Sequence, residues 1–415
     1  MYDVIIVGAR AAGASTAMLL ARRGLRVLAV DRASFPSDTL STHQVQLPGV
    51  GRLAAWGLLD KVAASGAPAT RHVRFDQDGI VIDGHFPRHD GVDALFSPRR
   101  TVLDALLVDA AGQAGAEVRE SFTVDDVVRR DGRVAGIRGR DRAGGAVREE
   151  RARLVVGADG KHSIVARAAG APTYHVVPPR SMACYTYWEG VPVAGGELYA
   201  RDRRAAGLWP TSDGLVMSYV AWPADEFATF RADVEGNLLE TLDLIGVGER
   251  VRAGRRAERI RLTPDLPNAL TRPYGPGWAL VGDAGLVMDS ITGQGIGDAF
   301  RDAELLADAV EAGLSGRASM DEALAGYQQA RDRRTRPMYD FTTDLASFRP
   351  LRPEERLLFE ALAADQAQTD RFFGVMTGAV PVREYFSPGN LIKLIGVRGF
   401  ATAVRGRLMA RRRRA

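Results

Sequence analysis

The sequence predicts an α/β fold: a parallel sheet built on a βαβ unit and extended by a β-meander, interleaved with a mostly antiparallel sheet and followed by helical sequence. Three observations predict it. A buried-strand signal at residues 4–7 turns through glycines into a helix; strand signals of the same kind return at 154–156 and 278–281; and the stretches between them carry short β-branched and aromatic runs joined by Asp-Gly turns. At 415 residues the chain exceeds the size at which one core keeps growing, so two interlocked domains are expected.

The N-terminal strand leads to a helix at about 14–23, Gly24 stops it, and a second strand covers 27–30. Residues 35–47 form a polar loop without periodicity, and long irregular loops in compact domains tend to be functional. A helical stretch follows at about 50–64. Val73 and Phe75, then 80–82, read as a hairpin turned by Asp78-Gly79, and a helix covers about 102–114. A meander turned by Asp131-Gly132 ends in the strand 154–156, and alternating runs at 184–188 and 215–222, with Asp213-Gly214 between them, form the antiparallel sheet. After Gly277 come a strand, a glycine-rich loop and a long helix from 297 to about 312.

Composition narrows the function classes. An apolar fraction of 46% and a charged fraction of 26% are ordinary for a globular protein. Cys184 is the only cysteine, which rules out an internal disulfide and a thiolate metal cluster; no metal site is expected. Met1 precedes the first apolar run almost directly, so no signal peptide and a cytoplasmic location are expected. The net charge of +4 is spread along the chain apart from Arg411 to Arg414, and nucleic acid is not an expected partner. That basic cluster follows an apolar-periodic segment from Leu391 to Leu408. It reads as a packed helix with a solvated end, with contact to a membrane surface or an acidic partner as the minor alternative.

Three constellations carry chemistry. Gly8-Ala9-Arg10-Ala11-Ala12-Gly13 lies between a strand and a helix, with Asp31 and Arg32 closing the next strand, which is the spacing of a Rossmann-type dinucleotide fingerprint. Gly8 makes the tight turn, Gly13 lets the helix pack on the strand, the helix start faces a pyrophosphate, and Asp31 accepts from a ribose hydroxyl. Arg10 stands where a second glycine is usual, so either the loop is displaced or the arginine meets the anion. The second constellation, Gly157-Ala158-Asp159-Gly160, follows a strand directly. The third is Gly282-Asp283-Ala284 at another strand end, followed by Gly293-Gln294-Gly295-Ile296 and a helix whose free N–H groups suit an anion.

In this order and at these separations the three segments resemble the flavoprotein superfamily of p-hydroxybenzoate hydroxylase, which also holds geranylgeranyl reductases and flavin-dependent halogenases. The resemblance implies bound FAD, with Asp159 near its pyrophosphate, Asp283 on the ribityl chain and Gly293 to Ile296 against the isoalloxazine. It also matches Arg100 to the family arginine that opens a helix and contacts the cofactor, with Arg99 beside it as the alternative. The loop from Ser37 to Gln44 falls where the family folds chain over the flavin, which makes His43 and Gln44 the candidate catalytic residues. The sequence departs from the hydroxylases at Leu286 and Ser290, where they carry His and Pro. Ala166 occupies the usual site of the arginine closing the DG motif. The halogenases' paired-tryptophan motif is absent, and lysine occurs only at 61, 161 and 393.

The expected partition is an FAD-binding domain at 1–70, 95–175 and 272–340, a substrate domain at 71–94 and 176–271, and a helical C-terminal segment at 341–415. Tyr185, Tyr187, Trp188, Trp209, Tyr219 and Trp222 are sheet core or the lining of an apolar pocket. The leading expectation is a monooxygenase. It would use NAD(P)H and O2 to hydroxylate or epoxidise a small apolar substrate through a flavin C4a-hydroperoxide. The alternatives are an FAD-dependent reductase or dehydrogenase acting on carbon–carbon double bonds, and a non-catalytic flavin-binding module.

Overall fold

The computed structural model describes residues 1–141 and 144–412, with side chains described through residue 402; the basic cluster at 411–414 lies outside the described side chains. Among the described residues no helix is long and apolar enough to cross a membrane. The chain divides into two compact units, one made of Met1–Ser65, Pro98–Pro178 and Pro267–Arg336, the other of Gly66–Ser97, Pro179–Leu266 and Pro337–Ala415.

The first unit is built on a parallel sheet. Its order runs Trp278–Leu280, Arg148–Gly157, Tyr2–Val7, Val27–Val30 and Glu117–Arg119, with Tyr274–Gly275 antiparallel at one edge. Arg148–Gly157 belongs to two assemblies at once. Its first half pairs antiparallel with Arg133–Asp141 of the meander, and its second half pairs parallel with Tyr2–Val7. The meander turns through Asp131 and Gly132, both at positive φ, as the right-handed strand twist favours. Its apolar side, Phe122, Val124, Val127, Val134 and Ile137, packs on Ile5, Val7, Leu28, Val30 and Val155 in one core. A smaller sheet of Thr173–Val177, Asn268–Thr271 and Leu286–Val287 completes the unit.

In the second unit the sheet order is Arg255–Arg256, Ser181–Glu189, Val216–Pro223, Arg204–Pro210, Gly196–Arg201, His72–Gln77 and Ile80–His85. Every pairing along it is antiparallel except Gly196–Arg201 with His72–Gln77. Helices Phe227–Ala232, Val234–Leu244 and Gly248–Arg252 cover one face. The helical C-terminal sequence forms Pro353–Ala363, Gln366–Met376, Val382–Tyr385 and Pro388–Arg412.

The expected helix at 50–64 is two helices, Leu47–Ala55 and Leu59–Ala64. Gly57 separates them at φ +75°, a left-handed conformation that ends a helix at little cost only in glycine. The three helices at 227–252 were not read from sequence; they bury Phe230, Leu238, Leu242 and Val251 against the sheet.

Candidate functional site

The three sequence constellations meet at one end of the parallel sheet. Val7 pairs with both Val30 and Gly157, and Leu280 pairs with Gly157, so residues 8–13, 31, 157–160 and 281–283 all leave the carboxyl ends of neighbouring strands. Ligands of open parallel sheets bind outside that end. The turns approach so closely that side chains have no room. A Cβ on Gly8, which sits at φ +97°, would lie 2.4 Å from the Ala158 carbonyl oxygen, and one on Gly13 would lie 1.8 Å from the Gly8 carbonyl oxygen. Gly282 in turn lies against the Ala12 methyl, 2.7 Å from its own built Cβ.

The helix Ala11–Ala21 opens on Arg10 with no side-chain cap, so its first N–H groups and the positive end of its dipole face outward from the strand ends. Asp31 stabilises the turn before it. Its Oδ2 accepts from Ala9 N at 2.7 Å and its Oδ1 from Ala33 N at 2.8 Å. Each oxygen keeps a lone pair for a further donor. Arg32 beside it is exposed.

Arg10 is held by protein groups on two sides and keeps a partly exposed side chain. Its guanidinium donates to Asp104 Oδ2 at 2.7 Å, to the Ser37 carbonyl at 3.1 Å and to Ser37 Oγ at 2.8 Å, tying the loop at 37–38 to the helix Arg100–Gln113. Asp104 is fully buried, and its other oxygen accepts from Nε and Nη2 of Arg100 at 3.0 and 2.9 Å. One carboxylate thus orients two arginines. Sequence reading missed Asp104; the available signal was its i,i+4 spacing from Arg100. Arg99 lies 3.8 Å from Asp38 instead.

The two other motif carboxylates face different ways. Asp159 accepts from Ser163 Oγ at 2.5 Å and Ile164 N at 2.6 Å, so it caps the short helix Ile164–Ala169 and shapes the loop from within. Burial raises its pKa, and those donors draw it back. Asp283 remains accessible to solvent although protein surrounds it: this enclosure raises its pKa, while Arg100 and Lys161 lower it. An accessible carboxylate in a recess between cationic groups is what a polyol chain beside a diphosphate requires.

The third glycine segment is built around one carbonyl. Gln46 Nε2 and Gln294 Nε2 each donate to the Thr292 carbonyl at 3.0 Å, and Gln46 also donates to Gln44 Oε1 at 3.3 Å. Gly293, at φ +63°, leaves space that a Cβ would close to 2.5 Å from Gln44 Oε1. Gln44 is therefore brought to this segment, together with Gln46, which sequence reading missed. His43 is fully buried at φ +61°, its backbone N–H donating to Ser41 Oγ at 3.1 Å. Beyond Gly293 the helix Gly295–Leu314 starts on Gln294 without a side-chain cap; Gly295 is exposed and Ile296 buried. Two uncapped helix starts, small-residue turns and an accessible carboxylate fit a dinucleotide carrying a polyol and a second, electron-rich ring.

Asp298, in the first turn of that helix, is pushed up to about 6 by burial, partly offset by Arg301 at 2.5 Å. A carboxyl raised in the folded state favours its protonated form there. Its contribution to stability is therefore fully present below the ordinary carboxylate range and lost as pH rises through about 6. Asp298→Asn is expected to flatten the decline in stability from pH 4 to pH 6.5 by on the order of 3 kcal/mol, measured by urea unfolding at each pH. Equal slopes in variant and wild type would contradict the assignment.

The aromatic residues of the second unit separate into two faces. Trp188 and Trp222 point into the core under the helices, with their ring N–H groups donating to Ser218 and Thr241 at 2.8 Å. They cannot line a pocket on the other face. Tyr185 opposite Tyr219, Tyr187 opposite Met217, and Trp209 opposite Met217 share that second face, and Trp209 lies across Gly196, where a Cβ would meet its ring at 2.1 Å.

Comparison with known proteins agrees with the geometry. Protein FixC of Salmonella typhi is 34% identical over 180 residues, which are 41% of this chain and 39% of FixC, so the match spans well under half of that relative's length. The digeranylgeranylglycerophospholipid reductase of Methanocella arvoryzae is 28% identical over 316 residues, 71% of this chain and 74% of the reductase. Among solved structures, PqsL of Pseudomonas aeruginosa, described as a probable FAD-dependent monooxygenase and crystallised with 2-aminobenzoylacetate, is 26% identical at a TM-score of 0.70 over 90% of this chain and 99% of PqsL. A family model described as an FAD binding domain matches residues 1–342, from the first strand through the helix behind the glycine-rich segments, and the chain belongs to that family.

Proposed function

We propose that this protein is an FAD-dependent monooxygenase that uses NAD(P)H and O2 to hydroxylate or epoxidise a small apolar substrate. The convergence of three glycine-acid motifs at adjacent strand ends carries the FAD part of this reading. Likeness to PqsL along nine-tenths of the chain supports the oxygenase part. The flavin, when bound, accepts hydride from the nicotinamide and activates O2.

The chain's own residues bind and orient. The start of the helix Ala11–Ala21 would hold the diphosphate, Asp31 with Arg32 beside it the adenosine ribose, and Asp283 with Arg100 the ribityl side. The uncapped start of Gly295–Leu314 would favour negative charge on the reduced ring system, with Gln44 and Gln294 setting its approach. Gly8, Gly13, Gly282 and Gly293 let the turns close on one another, Gly282 against Ala12, and Ile296 lies in the first turn of the helix that would face the ring. Asp159 acts through the loop it caps. His43, fully buried, would act on the ring only through its neighbours, so His43→Ala is expected to alter turnover more than flavin content. Tyr185, Tyr187, Trp209 and Tyr219 remain the candidates for an apolar substrate surface.

A reductase acting on carbon–carbon double bonds is the second reading, favoured by the Methanocella reductase. Oxygen consumption measured against NAD(P)H oxidation, with candidate apolar substrates and with an anaerobic control, separates the two. The oxygenase reading expects one O2 per product and none formed without oxygen. Anaerobic product formation would replace it with the reductase. Release of FMN, or of no flavin after reconstitution, would remove both.

A further inference from the structure

Behind the Gly282–Ala284 turn lies a buried arginine that the site described so far does not use. Arg331, on the helix Met320–Leu345, has no accessible surface. Its Nη1 donates to the Gly285 carbonyl at 3.1 Å, and its Nη2 to the Thr271 carbonyl at 3.1 Å and to Tyr174 Oη at 2.9 Å. Nε and Nη2 both meet Asp332 Oδ1 at 3.0 Å. One turn earlier on the same helix, Tyr327 donates to the Leu280 carbonyl at 2.8 Å. The helix therefore grips the main chain on both sides of Asp283, three residues before it and two after.

A fully buried guanidinium is costly unless every donor is satisfied, and two neutral carbonyls do not require a charge. What the planar fork adds is direction: it joins three chain segments at fixed angles, which an ammonium on a flexible stem does not reproduce. Gly285 has no side chain where Arg331 approaches; a Cβ there would sit 3.0 Å from Nη1. The strand Asn268–Thr271 is pinned to the same point, because Thr271 N donates to the Gly285 carbonyl at 2.9 Å. Asp283, within this clamped turn, is accessible and feels the charges of Arg100 and Lys161.

We propose that Arg331, together with Tyr327, is a positioning residue for Asp283 that sets the affinity and the electronic environment of the flavin. This rests on the reading that the first unit binds FAD. The test uses the full chain as Arg331→Lys and Tyr327→Phe. FAD affinity is read by fluorescence titration of each apoprotein, the bound flavin by its visible absorption maxima and reduction potential, and apoprotein stability by urea unfolding. Arg331→Lys is expected to weaken FAD binding about 10- to 100-fold and Tyr327→Phe about 3- to 10-fold, with displaced absorption maxima and potential in both. Wild-type affinity, spectrum and potential in Arg331→Lys, accompanied only by lower apoprotein stability, would overturn the proposal by making Arg331 a support of the fold alone. If Arg331→Lys does not fold, Tyr327→Phe decides: unchanged affinity and spectrum overturn the proposal, and the expected shifts sustain it. A wild-type apoprotein that takes up no FAD removes the reading beneath the proposal and the proposal with it, an outcome distinct from wild-type binding that neither variant alters.

Discussion

Gly13→Val is expected to give a protein that carries no flavin after purification and that, where soluble, unfolds at markedly lower denaturant. A Cβ at this position would lie 1.8 Å from the Gly8 carbonyl oxygen and 3.1 Å from the Ala158 methyl, and the first of these neighbours is main chain that cannot rotate away. Relief requires the helix Ala11–Ala21 to slide along the strand, which would move its free N–H groups off the diphosphate position proposed for them and open the packing behind them. Overpacking of a close helix–strand contact costs about 1–3 kcal/mol, and branching at Cβ places this substitution at the upper end or above. Loss of anion contacts at the helix start adds to the loss of affinity. Flavin content by absorbance and urea unfolding monitored by circular dichroism read both effects. A stoichiometric, wild-type-stable flavoprotein would mean that the turn does not approach the helix as described.

Asp104→Ala is expected to be the most damaging single change among the charged residues of the first unit. The carboxylate has no accessible surface and serves Arg10 through one oxygen and Arg100 through the other. Removing it leaves two like charges close together without their common partner. Breaking a buried pair in this way costs about 3–5 kcal/mol, and because the Arg10 side chain is 24% exposed the lower end applies. The loop at 37–38, held through Arg10, is expected to loosen as well, so proteolysis near Ser37 should accelerate. Chemical unfolding and timed digestion measure the two consequences. A change below 1 kcal/mol would show that solvent already screens the pair.

What was legible in the sequence was local. A strand, a turn and a helix written consecutively, as in residues 4–21, announce themselves through periodicity and glycine placement, and the same holds for the Asp-Gly hairpins at 78–79 and 131–132. What escaped depends on partners remote in sequence. Glu117–Arg119 is too short to show alternation and is a strand only because Val27–Val30 is beside it. The parallel pairing of His72–Gln77 with Gly196–Arg201 cannot be inferred from either segment alone. In the site, the glycines and motif acids could be read because each stands in a recognisable pattern at the end of a strand. Gln46 and Arg331 could not, because what identifies them is the group at the far end of a hydrogen bond, the Thr292 carbonyl and the Gly285 carbonyl; Asp104 offered its spacing from Arg100 but not its contact with Arg10.

The strand Tyr2–Val7 is synthesised before both of its neighbours, and one of them, Arg148–Gly157, pairs Gly157 with Val7 across 150 positions of chain. At ordinary translation speeds that separation corresponds to roughly 8–30 seconds. Throughout it, an apolar strand with one unpaired edge must be kept from other chains, the condition under which edge-to-edge aggregation begins. The turn at 8–13, which would hold the nucleotide, is thus completed only once residue 157 has been made. Soluble yield of this protein should accordingly respond to slower, cooler expression and to chaperone supply more than to any change in its surface charge.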